Sequence, residues 1–131
     1  MFQTSKKVYF YDADPAGIIF YAAIFKFAHY AYEDLMRSLE LEKNYFFDEE
    51  IVLPIIHAES DYFSPITVGE KLLISVVVSQ LRDNSFELSY KFTDTNDIIR
   101  ASAKTVHVCV NKKTFKKIHL PQDLFEKLKT A

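Results

Sequence analysis

One helical stripe followed by hairpin-linked strand patterns constrains this chain more than any other feature. Between Phe20 and Leu39 the apolar residues Ile24, Phe27, Ala28, Ala31, Leu35 and Leu39 recur at helical spacing. Phe25, Tyr30, Tyr32 and Met36 widen the stripe on both flanks, so this helix is expected to be covered on more than one side. Further on the period changes to two. Lys71 to Leu81 places Leu72, Ile74, Val76 and Val78 on one face. Phe86 to Thr93 points Phe86, Leu88, Tyr90 and Phe92 inward and Glu87, Ser89, Lys91 and Thr93 outward. Arg82-Asp83-Asn84-Ser85 and Asp94-Thr95-Asn96-Asp97 have the residue types of turns. Ile98 to Asn111 reads as a long strand whose apolar face is less regular after Lys104. Lys6 to Tyr11 reads as a short strand, Leu41 to Glu50 as irregular, and Leu124 to Lys129 as a frayed terminal helix. One long helix with consecutive hairpin strands predicts an α+β fold with an antiparallel sheet.

Length and composition narrow the class. At 131 residues the chain is read as a single domain, 1–131, large enough for its own core. No apolar run is long enough to span a membrane, and Met1 to Lys7 lacks the apolar centre of a signal peptide. The single cysteine, Cys109, excludes an internal disulfide framework and fits a reducing compartment, so a cytoplasmic location is expected. Within a strand it reads as a small core residue rather than a nucleophile. The net charge of −2, with no basic run beyond two residues, argues against a nucleic-acid partner.

The segment Tyr11-Asp12-Ala13-Asp14-Pro15-Ala16-Gly17-Ile18-Ile19-Phe20-Tyr21 carries the chemistry. It contains two carboxylates, a proline and one of only two glycines, the residues that shape a tight turn. The glycine suits a positive φ or a close backbone approach to a ligand. Residue types alone leave two readings open. Asp12 or Asp14 caps the following helix, or a carboxylate works beside helix-start N–H groups on an acyl carbon.

The pattern Asp-x-Asp-Pro-Ala-Gly-Ile-Ile-Phe-Tyr before a long helix resembles the 4-hydroxybenzoyl-CoA thioesterase family of hotdog-fold enzymes. Leu53 to Pro65 resembles that family's second strand, Val68-Gly69-Glu70-Lys71-Leu72 the turn into its third, and Val106 to Pro121 its last strand and tail. The resemblance implies an antiparallel sheet wrapped around one long central helix, and a homodimer or homotetramer. It implies that Asp14 is the catalytic carboxylate, as nucleophile or as general base. The Tyr21 backbone N–H, at the helix start, is then the oxyanion donor, and Gly17 lets the thioester approach the backbone.

Further expectations follow from the same resemblance. Family members that hydrolyse 4-hydroxybenzoyl-CoA carry an aspartate where this chain has His29, a departure that disfavours that substrate. His57 and Glu59 are candidates to line the site from a neighbouring subunit. A metal site drawn from His57, Glu59 and Asp61 is the lesser reading, because strand alternation alone puts them on one face. Phe20, Tyr21, Tyr62 and Phe63, near the motif and the second strand, are candidate aromatic walls. The cation-rich turn that meets the CoA phosphates in those members is reduced here to Arg82, leaving Lys112 and Lys113 as further candidates. No cofactor is expected, coenzyme A being part of the substrate.

The stretch Leu53 to Tyr62 most resembles the 1,4-dihydroxy-2-naphthoyl-CoA hydrolases of menaquinone and phylloquinone synthesis, which makes an aromatic acyl-CoA the expected substrate. The competing readings are hydrolysis of 4-hydroxybenzoyl-CoA or of short- and medium-chain acyl-CoAs, and, in another class, a non-catalytic acyl-CoA-binding module.

Overall fold

The computed structural model describes every residue from Met1 to Ala131. The elements follow in the order β1 (Phe2–Lys7), α1 (Ala23–Ser38), β2 (Ile51–Val52), β3 (Ile55–Tyr62), β4 (Lys71–Leu81), β5 (Ser85–Thr93), β6 (Ile99–Val108), β7 (Val110–Asn111) and α2 (Gln122–Thr130). Five strands form one antiparallel sheet in the order β1-β4-β5-β6-β3. β2 and β7 form a separate antiparallel clasp.

The helical stripe does what its spacing requires. Ile24, Phe27, Ala28, Ala31, Leu35 and Leu39 are all buried, with Tyr32 and Met36 beside them. They join one core with Leu72, Ile74 and Val76 of β4, with Phe86, Leu88, Tyr90 and Phe92 of β5, and with Ala101 and Ala103 of β6. Burying one such Leu or Phe side chain contributes about 1.5–3 kcal/mol. This is the α+β arrangement of sheet and central helix that the hotdog resemblance implies. No helix is long and apolar enough to cross a membrane.

Four boundaries differ from the expectation. The first strand lies earlier than Lys6 to Tyr11: β1 ends at Lys7, and Phe10–Asp12 form a single 3-10 turn. The Asp12 carboxylate accepts the Tyr9 N–H at 3.0 Å, a local bond that competes with a sheet ladder. α1 starts at Ala23, later than its apolar pattern. The long strand ends at Val108; the Cys109 N–H bonds the Asn84 carbonyl at 2.8 Å, and β7 leaves to pair with β2. α2 is anchored rather than frayed. Leu124 and Leu128 are buried, and the Tyr45 hydroxyl donates to Asp123 at 2.6 Å. Cys109 is a buried core residue, and burial, with the nearby Asp48 charge, pushes its thiol up to about 11.

β3 is the exception to this burial. It is an edge strand bonded only to β6, and no residue in it is buried. Ile56 is 59% exposed and Tyr62 45% exposed.

Candidate active site

Residues 12–20 form a tight hairpin ahead of α1. The Phe20 N–H bonds the Asp12 carbonyl at 2.9 Å, the Asp14 N–H bonds the Ile18 carbonyl at 3.0 Å, and the Gly17 N–H bonds the Asp14 carbonyl at 3.0 Å. Gly17 sits at φ +78°. An added Cβ would meet open space there, so the demand for glycine is torsional, worth about 1–2 kcal/mol for an L-residue. Asp14 is exposed, and its Oδ1 accepts the Ala16 N–H at 2.8 Å. That Asx turn fixes the carboxylate, while Oδ2 has no protein partner. Asp12 is buried and structural in its contacts, capping the 3-10 turn with Lys26 Nζ 3.7 Å away.

Tyr21 and Ala22 form the last step before α1, and neither N–H has a hydrogen-bond partner. Ala22 caps the helix without a side-chain bond, so these donors stay open, as helix starts leave them. The Tyr21 N–H therefore lies two residues before the first helical residue rather than within the helix. The Tyr62 hydroxyl donates to the Tyr21 carbonyl and ties this step to the end of β3.

Beside the hairpin lies a cleft of about 370 Å³, lined by Ile18, Ile19, Tyr21, Tyr62, Phe63, Ser64, Pro65 and Ile66. Its size and apolar wall suit a small-molecule site. Asp14 sits across the hairpin from Ile18, which lines the cleft. Tyr62 and Phe63 are in the wall, whereas the Phe20 ring packs on Tyr21 at 4.7 Å without lining it. A second hollow, of about 410 Å³, lies on the outer sheet face among serines, Lys91, Lys104, Glu59 and Asp61. It also takes in Val77, Tyr90 and Ala103, but it shares no residue with the hairpin and so holds neither Asp14 nor the open Tyr21 N–H.

Within one protomer the other expected residues do not gather at the cleft. His57 and Glu59 lie exposed on the β3 edge, 3.7 Å apart, with Glu59 also 3.9 Å from Lys104. With Asp61 they form no cluster able to hold a metal. His29 is exposed on α1, edge-on to Tyr32 at 5.5 Å. It stands six residues into the helix, about 9 Å along the axis from its start. Arg82 contacts Gln80 at 3.4 Å in the β4–β5 turn. The Lys112 Nζ donates to the Asp48 carbonyl at 3.1 Å, and the Lys113 N–H to Asn111 Oδ1 at 2.9 Å. All three lie at the sheet end opposite the cleft, about 25 Å away along β5, because Ser85 pairs with Val108 and Thr93 with Ile99.

His107 is a core residue rather than a site residue. Its ring stacks on Phe86 at 4.7 Å, its Nε2 meets Thr105 Oγ1 at 2.8 Å, and Nδ1 has no partner. Burial, with a smaller effect of His29, pushes its pKa down to about 3. Nothing in the sequence singles out Ser64, which lines the cleft, or Arg100, whose guanidinium bonds the wall residues Ser64 and Pro65. The available signal is Val68-Gly69-Glu70, a turn whose glycine sits at φ +93°.

Residues 8–128 match the family model described as the thioesterase-like superfamily. The chain is 36% identical over 118 residues to a 1,4-dihydroxy-2-naphthoyl-CoA hydrolase of Microcystis aeruginosa, covering 89% of this chain and 85% of that one. It is 34% identical over 123 residues to a protein of the same name from Rippkaea orientalis, covering 92% and 89%. The crystal structure of a 1,4-dihydroxy-2-naphthoyl-CoA thioesterase from Synechocystis superposes with a TM-score of 0.91 at 29% identity, covering 97% of this chain and 94% of that one. The chain belongs to the thioesterase-like superfamily and has its hotdog fold.

Proposed function

We propose that this protein hydrolyses an aromatic acyl-CoA thioester, with 1,4-dihydroxy-2-naphthoyl-CoA of menaquinone or phylloquinone synthesis as the preferred substrate. One observation carries the reading: a carboxylate oxygen without a protein partner in a tight hairpin, and an unpaired N–H on the residue that follows it, lie beside an aromatic-walled cleft. The similarity to hydrolases of that name, over 89–92% of the chain, supports the substrate.

In this reading Asp14 works by one of two routes. As nucleophile, its carboxylate adds to the thioester carbon, the C–S bond breaks, and the CoA thiolate leaves and takes a proton. Water then opens the mixed anhydride and restores the carboxylate. As general base, Asp14 takes a proton from water as the oxygen adds to the carbon. The tetrahedral intermediate expels the thiolate, which receives that proton. Both routes place negative charge on the carbonyl oxygen, where the Tyr21 N–H is the donor. Gly17 keeps the backbone open to the thioester. Water is the only co-reactant, and no cofactor takes part.

A homodimer, or a pair of dimers, completes the site. β3 supports this, because an exposed edge flanked by apolar side chains invites a second strand. Across that boundary His29, His57 and Glu59 reach the ring hydroxyls, and Phe20 adds to the aromatic wall. Arg82, Lys112 and Lys113 meet the CoA phosphates only from another subunit, given their distance from their own cleft. The buried single thiol fits a cytoplasmic place of action.

The test is kcat/KM for 1,4-dihydroxy-2-naphthoyl-CoA, 4-hydroxybenzoyl-CoA and octanoyl-CoA at equal enzyme concentration. The expected order is naphthoyl first. Preference for octanoyl-CoA would overturn the substrate, and absence of CoA release from all three would overturn the activity in favour of a binding module.

A further inference from the structure

We propose that Arg100 is a positioning residue for the hydrolytic hairpin: it clamps the loop of residues 63–70, and that loop holds residues 17–19 in place. The proposal rests on the reading of this hairpin as the active site.

The clamp is built from both parts of Arg100. Its carbonyl accepts the Phe63 N–H at 2.9 Å and the Ser64 N–H at 3.3 Å. Its guanidinium donates to Ser64 Oγ at 2.5 Å, to the Pro65 carbonyl, to Glu70 Oε1 at 2.7 Å and to Asp94 Oδ2 at 3.1 Å. The side chain is only 16% exposed, so these charges are less screened than surface pairs are. A planar fork of five donors serves four acceptors at fixed angles; an ammonium is a point charge and cannot.

Glu70 relays the clamp. Its second oxygen accepts the Thr67 N–H at 2.6 Å and the Thr67 hydroxyl at 3.1 Å. Burial disfavours the Glu70 charge, but the Thr67 donors and Arg100 outweigh it and hold the carboxyl below its ordinary range. The loop then meets the hairpin through its backbone. The Ile19 N–H bonds the Ile66 carbonyl at 2.8 Å, the Val68 N–H bonds the Gly17 carbonyl at 3.3 Å, and Ile18 bridges Thr67. Phe63, Ser64, Pro65 and Ile66 are also half of the cleft wall. Without Arg100, Glu70 and Asp94 face each other with no cation between them, and like charges repel.

The experiment compares wild type, Arg100→Gln and Arg100→Lys by hydrogen exchange of peptides spanning residues 14–22, with α2 as an internal control. kcat and KM are measured in parallel. Arg100→Gln is expected to speed exchange across 17–19 while α2 stays unchanged. It is expected to lower kcat by about 10- to 100-fold, the scale of an ångström-level misplacement, with KM moving less than about threefold. Arg100→Lys is expected to fall between. Should Arg100→Gln not fold, Glu70→Gln keeps the shape, weakens the same relay and is expected to shift exchange in the same direction. Unchanged exchange over 17–19, or faster exchange with wild-type kcat, overturns the proposal. If wild type hydrolyses no thioester, the functional reading fails by itself, and the exchange comparison still decides whether Arg100 holds the hairpin.

Discussion

At the cleft end of the sheet, the covering loop of residues 63–70 is fastened by directional bonds from Arg100, Glu70 and backbone groups, with Ile66 alone buried among its residues. At the far end the tail is fastened by burial. The Leu120 N–H bonds the Asp83 carbonyl at 2.8 Å, and Leu120, Leu124 and Leu128 enter the core. Polar ties fix atoms in direction but add little net energy, because water offers the same bonds to the open chain. Apolar burial is energetically larger and nearly indifferent to angle. The cleft end is thus organised for geometry and the tail end for stability, and substitutions at the two should separate activity from folding.

The largest expected effect is at the cleft end. Asp14→Asn should lower kcat by about 10²- to 10⁴-fold with the melting temperature nearly unchanged, since the carboxylate is exposed and bonds only Ala16. Near-normal turnover would remove Asp14 from the mechanism. The matching change at the tail end is Leu124→Ala. It should cost about 2–5 kcal/mol in urea unfolding, while kcat of the folded fraction stays within about twofold. A selective loss of kcat there would dissolve the contrast.

Acid probes the tail half through His107. Its folded pKa is lowered to about 3 from an ordinary 6.5. Below pH 6.5 the unfolded chain takes up a proton that the folded core refuses, so stability falls as pH drops towards 3, by up to about 1.4 kcal/mol per pH unit. His107→Phe should flatten that limb in denaturation measured from pH 7 to 4. The smallest effect expected is Gly17→Ala, about 1–2 kcal/mol from φ alone, accompanied by a loss of kcat. A loss of stability without loss of kcat would mean that the hairpin tolerates distortion.

The legible parts of the fold were those whose partners are near in sequence. The stripe from Ile24 to Leu39 and the alternation of β4 and β5 report local geometry, and the core contains those residues except Val78, which is partly buried where the β4–β5 register shifts. The placement of β7 was not legible, because its partner β2 lies far back in the chain and two residues carry no period. β1 was obscured by the aromatic run Tyr9 to Tyr11, which looks strand-like until Asp12 captures the Tyr9 N–H. Asp14 stands out because proline and glycine mark its turn. Arg100 does not, since each group it clamps in the 63–70 loop is at least 30 residues away.

The strand order β1-β4-β5-β6-β3 also has a consequence for synthesis. β3 precedes its only partner, and paired residues such as Tyr62 and Ala101 are roughly 40–50 residues apart along the chain. A growing polypeptide therefore presents Ile55 to Tyr62 with both hydrogen-bonding edges open until β6 has left the ribosome. Non-local pairing of this kind is slow, and a chain interrupted before Ile99 carries a strand, with Ile55, Ile56 and Tyr62 uncovered, that has no intramolecular partner to sequester it from other nascent chains.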